Sequence, residues 1–112
     1  MIEWLVEAWG CEPARLADLP TLQRLFERCV QEVQLKPVQP ALWHSFPGPG
    51  GITGMLLLAE SHLTIHTFPE HGLATLNLYC CLPRPRWPFE ERLAEILRAA
   101  RVGVRELERG QR

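Results

Sequence analysis

The sequence predicts a two-layer α+β sandwich, a mainly antiparallel sheet carrying two helices on one of its faces. Three features dictate this class. Leu22, Leu25, Phe26, Cys29, Val30 and Val33 recur at three- and four-residue spacing, and so do Phe89, Leu93, Ile96, Leu97 and Ala100, giving two helices with one apolar stripe each. Between them, 61–68 and 73–81 alternate with the period of two that marks a strand. The chain has 112 residues, enough for one domain with one core and no more.

Taken in order, the apolar stretch around 2–8 reads as a first strand. Asp18 is a good N-cap and Pro20 sits in the first turn of the helix that follows, which Pro37 and Pro40 end. Residues 41–46 read as a second strand, and Pro47-Gly48-Pro49-Gly50-Gly51 as a loop. The run 52–60 is the most apolar, as a strand inside a sheet would be. In 61–68, His62, Thr64, His66 and Phe68 face one way and Leu63, Ile65 and Thr67 the other. After the turn Pro69-Glu70-His71-Gly72, Ala74, Leu76, Leu78 and Cys80 face the helices, while Thr75, Asn77, Tyr79 and Cys81 face away. A proline-rich loop at 82–88 leads into the second helix at Pro88, and 102–107 is the last strand. One sheet face is thus left to water or to a partner.

Composition removes several function classes. Hydrophobic residues make up 46% and charged residues 22%, ordinary for a globular chain. A net charge of −1, with arginines interleaved among glutamates, gives no electrostatic reason to expect nucleic acid or an anionic membrane. No apolar run approaches the ~20 residues that span a bilayer, and the N-terminal stretch lacks a basic n-region. The expected location is therefore the cytoplasm, where Cys11, Cys29, Cys80 and Cys81 remain thiols. Their spacing contains no CxxC pair, His62 and His66 lie on a strand, and no metal site is expected.

On the face away from the helices, His66 on one strand and Cys81 on the next stand near Ser61, where the preceding run ends. A hydroxyl, an imidazole and a thiol converging there would supply a nucleophile with a general base and acid. An ordinary solvated strand face is the competing reading of the same spacing.

The wording of the segment decides between them. Leu58-Ala59-Glu60-Ser61-His62-Leu63-Thr64-Ile65-His66-Thr67-Phe68-Pro69-Glu70 closely resembles the processing segment of the prokaryotic S-adenosylmethionine decarboxylase family. The likeness extends through Gly10-Cys11, His44-x-Phe46, Gly51-Ile52-Thr53-Gly54, Cys81 and the closing Arg101-Val102 and Glu106-x-Glu108-Arg109-Gly110. It implies a self-cleaving precursor. Ser61 attacks the Glu60 carbonyl, converting the amide to an ester, and elimination and hydrolysis then leave a 1–60 chain and a 61–112 chain capped by a pyruvoyl group. A sharp, strained corner at Glu60-Ser61 would help this cleavage. The pyruvoyl ketone forms a Schiff base with the amine of S-adenosylmethionine and draws electrons as carbon dioxide leaves. By the same resemblance His66 is the processing proton acceptor, Cys81 the proton donor after decarboxylation, and Thr53 a support for processing. Phe46, Leu63, Phe68 and Glu70 match positions that line the substrate site, the aromatics suited to adenine and Glu70 to ribose hydroxyls. The product feeds spermidine synthesis, and the small members work as dimers with active sites at or near the subunit contact.

Five departures from the family pattern are visible, one being a loop before Thr53 that is one residue longer and richer in proline and glycine. Thr53 replaces the usual serine, Phe68 the usual tryptophan and Asn77 a frequent aspartate, and the first strand reads Glu3-Trp4-Leu5-Val6. Two alternatives stand beside the main reading: a pyruvoyl enzyme acting on arginine or ornithine, and a paralogue that does not process and serves as a regulatory partner.

Overall fold

The computed structural model describes residues 1–48 and 50–110, so Pro49 of the expected loop and the last two residues of the expected 61–112 chain lie outside it. The elements run β1 (Ile2–Trp9), α1 (Pro13–Leu16), α2 (Leu19–Val33), β2 (Leu42–Ser45), β3 (Ile52–Leu58), β4 (Ser61–Phe68), β5 (Leu73–Cys80), α3 (Phe89–Leu97) and β6 (Arg101–Glu108). A 3₁₀ turn at Pro69–His71 joins β4 to β5. The strands form one sheet in the order β2-β3-β4-β5-β1-β6, antiparallel at every pairing.

The class is the expected one, with a third helix added. α1 is a single turn of four residues, too short to display a period, and it starts at Pro13, whose fixed φ suits a first helical position. Asp18 caps α2 as its position suggests: its Oδ2 accepts from Thr21 N–H at 3.1 Å and from the Thr21 hydroxyl at 2.6 Å.

Register fixes what each face holds. Trp4, Leu78, Leu63 and Leu56 form one row across β1, β5, β4 and β3, all buried beneath the helices. Against them pack Leu22, Leu25, Phe26, Cys29 and Val33 of α2 and Phe89, Leu93, Ile96 and Leu97 of α3. Trp87, from the loop before α3, is also buried and donates its indole N–H to Glu32 at 2.6 Å. The opposite sheet face has no covering layer. There β3 exposes Met55 and Leu57, each more than half accessible, which explains why this strand reads as apolar on both sides. It is not central but second from the edge.

Candidate active site

β3 and β4 form a hairpin joined by only two residues, Ala59 and Glu60, so Ser61 opens β4 opposite Leu58 on one side and Cys80 on the other. The corner is tight, but neither turn residue has positive φ, so the strain expected there is not expressed as left-handed backbone. The Glu60 carbonyl, which Ser61 would attack, accepts a hydrogen bond from the Cys81 backbone N–H at 3.3 Å. Ser61 is half-buried and pairs across the ladder with Cys80, whose thiol is buried. Burial raises the pKa of that thiol, while the Ser61 hydrogen bond and the charge of Arg84 oppose the rise. Cys81 is exposed and lies against Tyr79, whose phenol is pushed up by burial and by Cys81.

A second group gathers at the other end of the same hairpin. His44, Thr53, His66 and Thr75 form a row across β2 to β5 on the open face. Thr53 Oγ1 lies 3.1 Å from His66 Nδ1. In the tautomer that leaves Nε2 free to take a proton, Nδ1–H donates to Thr53. His44 packs edge-on against Phe46, ring centroids 4.8 Å apart, and both Phe46 and Phe68 are exposed at this end beside Glu70 of the 3₁₀ turn. Two glycines hold the geometry. A Cβ on Gly51 would run into the Thr67 carbonyl, and one on Gly54 into the Trp43 ring.

Two expectations are corrected here. Ser61, His66 and Cys81 do not converge within one copy of the chain. His66 lies five residues along β4 from Ser61, about 16 Å at the ~3.3 Å rise of a strand, and the odd-numbered Ser61 turns toward the helices while His66 faces away. Leu63 is completely buried in the core, so its side chain does not face the open side of the sheet with Phe46 and Phe68. The remaining residues fall into two half-sites: Glu60, Ser61 and Cys81 at one end, and Phe46, Thr53, His66, Phe68 and Glu70 at the other.

Cys80, which the alternation turns toward the helices, is the ladder partner of Ser61, and the pairing of β4 with β5 is the signal that finds it. On the open face, Asn77 donates to Glu3 at 2.6 Å, holding that carboxyl below the usual range with help from Arg109. An aspartate at 77 would instead oppose Glu3 with a like charge. Asn77 Oδ1 is buried and has no partner among the described residues. Among those residues no group of three His, Cys, Asp or Glu side chains is placed to hold a metal ion.

A model of the S-adenosylmethionine decarboxylase family matches residues 2–110. The chain belongs to that family. It is 38% identical over 108 residues to S-adenosylmethionine decarboxylase proenzyme 2 of Halalkalibacterium halodurans, covering 95% of this chain and 83% of that one. It is 35% identical over 106 residues to the S-adenosylmethionine decarboxylase proenzyme of Geobacillus kaustophilus, covering 95% and 84%. Among solved structures, the adenosylmethionine decarboxylase of Aquifex aeolicus superposes with a TM-score of 0.82 at 29% identity over 98% of this chain and 90% of that one. Among the described residues no helix is long and apolar enough to cross a membrane.

Proposed function

We propose that the chain is a proenzyme that cuts itself between Glu60 and Ser61 and then decarboxylates S-adenosylmethionine in a site that a second copy completes. The observation carrying this is the corner itself: Ser61 heads a strand immediately after a two-residue turn, and the carbonyl before it already meets the Cys81 N–H. As Ser61 Oγ adds to that carbonyl, negative charge grows on an oxygen that has a fixed donor waiting. The same copy's His66 cannot reach the Ser61 Cα proton, but a two-fold axis between stacked sheets, running across the strands, lays the His66 end of one copy over the Ser61 end of the other.

The open face suits such a partner. Met55 and Leu57 are 53% and 55% exposed, and two strands away in the row through Thr64 the buried Asn77 Oδ1 has no donor among the described residues. In the two-copy site, Phe46 and Phe68 accompany His66 and can stack on adenine, while Glu70 can accept from ribose hydroxyls. The corner fits the group it would make: the half-buried Ser61 pairs with Cys80, and the exposed Cys81, whose backbone N–H meets the Glu60 carbonyl, is the thiol nearest in sequence that could return a proton to the substrate carbon. A pyruvoyl group there supplies the electron sink that amino-acid side chains lack. The named activity of the relatives favours S-adenosylmethionine over arginine or ornithine, and their description as proenzymes favours a processing chain over a regulatory paralogue.

Intact mass of the purified protein under denaturing conditions, beside a Ser61→Ala control, tests the reading. Two fragments meeting at Glu60/Ser61, the second with a ketone-blocked N-terminus, are expected. A single chain that persists on long incubation, like the control, would overturn it.

A further inference from the structure

The corner that holds Glu60 and Ser61 borders a small cleft of about 80 Å³, and two cations line it: Lys36, from the segment after α2, and Arg84, from the proline-rich loop. Leu58 and Leu82 form its apolar walls. Lys36 is the only lysine in the chain, and its carbonyl is tied to the turn by the Ala59 N–H at 2.9 Å. Neither cation joins any of the ion pairs formed among the described residues, which use Arg15, Arg28, Arg86, Arg92 and Arg109. The lining holds two cations and one acid, Glu60, whose side chain forms no ion pair with either among the described residues, so the cleft can take a second anion.

We propose that Arg84, with Lys36, stabilises the carboxylate expelled from Ser61 during self-cleavage and then holds it as the C-terminus of the first fragment. This rests on the self-cleavage reading above and adds to it. Once the peptide has become an ester, the base takes the Ser61 Cα proton. The C–H electron pair becomes the Cα=Cβ bond, and the Cβ–O bond breaks with its electrons going to oxygen. The leaving group is the α-carboxylate of Glu60, formed at the cleft. Water then replaces the nitrogen of the resulting enamine through its imine, releasing ammonia.

Placement favours this anion, because the carboxylate would form from Glu60, which lines the cleft itself. Arg84 is near enough to the Cys80 thiol to oppose the rise in its pKa, and Cys80 pairs with Ser61 across β4 and β5. Arginine also stays charged at any working pH.

The test follows full-length chain, made by cell-free synthesis, by intact mass against time, with and without hydroxylamine. Hydroxylamine splits the ester to a fragment with a serine N-terminus, whereas completed processing leaves a pyruvoyl N-terminus, so the two masses report different steps. Arg84→Gln is expected to slow pyruvoyl formation at least roughly tenfold while the hydroxylamine-sensitive ester accumulates. Arg84→Lys is expected to restore most of the rate, which a merely structural role for arginine would not do. Arg84→Gln and the Arg84→Gln/Lys36→Gln double variant processing at the parent rate would overturn the proposal. So would variants that stay whole with hydroxylamine present, since the block would then precede the ester. A parent chain that never cleaves would instead sink the self-cleavage reading itself.

Discussion

Replacing Thr67 with valine in the uncleaved Ser61→Ala chain changes one buried hydroxyl to a methyl group of nearly the same shape. That hydroxyl joins three elements. It donates to the Leu16 carbonyl at the end of α1 at 2.7 Å and accepts the Ile52 N–H at the start of β3 at 2.9 Å. Thr67 itself is only 4% exposed, so water cannot replace either bond. An orphaned buried backbone group costs about 1–3 kcal/mol, and two are orphaned here. The added methyl recovers about 1 kcal/mol of burial. The net loss is about 1–5 kcal/mol, or roughly 4–20 °C in Tm for a domain of this size. Urea unfolding followed by tryptophan fluorescence measures it, and the m-value should stay constant. Thr67→Ser keeps both hydrogen bonds and should lose about 1 kcal/mol, from the missing methyl alone. A valine variant as stable as its parent, or a serine variant less stable than the valine one, would refute the reasoning. Because Ile52 precedes Thr53, the cleaving form of Thr67→Val should also process more slowly.

Three further outcomes follow from the structure. Glu32 accepts from Arg92, Trp87 and Arg28, which together hold its carboxyl at about 2 against an ordinary 4.5. A depressed folded-state pKa stabilises above the unfolded value, so Glu32→Gln should lower Tm fully at pH 7, with the gap to parent closing as pH falls from about 4.5 toward 2 in thermal melts. Gly51→Ala should cost about 1–3 kcal/mol by driving a methyl group into the Thr67 carbonyl, and displacement of the loop bearing Phe46 should raise KM more than it lowers the cleavage rate. Cys81 serves cleavage through its backbone and decarboxylation through its side chain, so Cys81→Ala should cleave within a few-fold of parent yet lose about a hundredfold or more in kcat.

Much of this was legible in the chain. Alternation assigned His62 to Phe68 and Ala74 to Cys80 to their correct faces, and the spacing of Leu22 to Val33 and of Phe89 to Leu97 placed both long helices, although Ala100, counted in the second stripe, lies beyond that helix and is exposed. What failed was the step from shared face to shared site. Ser61 was grouped with His66 by strand proximity, although its odd number puts it with Leu63 and Ile65. A two-residue turn at 59 and 60 fixes the hairpin register at once: Leu58 must oppose Ser61 and Thr53 must oppose His66, which separates the two half-sites. α1 escaped because one helical turn carries no period, and Trp87 because a proline-rich loop does not announce which of its residues turns inward. The cations at Lys36 and Arg84 come from segments distant in sequence, and only folding brings them to one cleft.

The most direct test of the two-copy site is complementation between two inactive chains. Ser61→Ala keeps the His66 half-site and His66→Ala keeps the Ser61 half-site, and neither homodimer should cleave. Co-expressed with distinguishable tags, the pair forms one complete site per mixed dimer. Intact mass should then show the His66→Ala chain cut at Glu60/Ser61 and the Ser61→Ala chain whole. If the His66→Ala chain stays uncut in isolated mixed dimers, the half-sites do not meet across copies and the account is wrong.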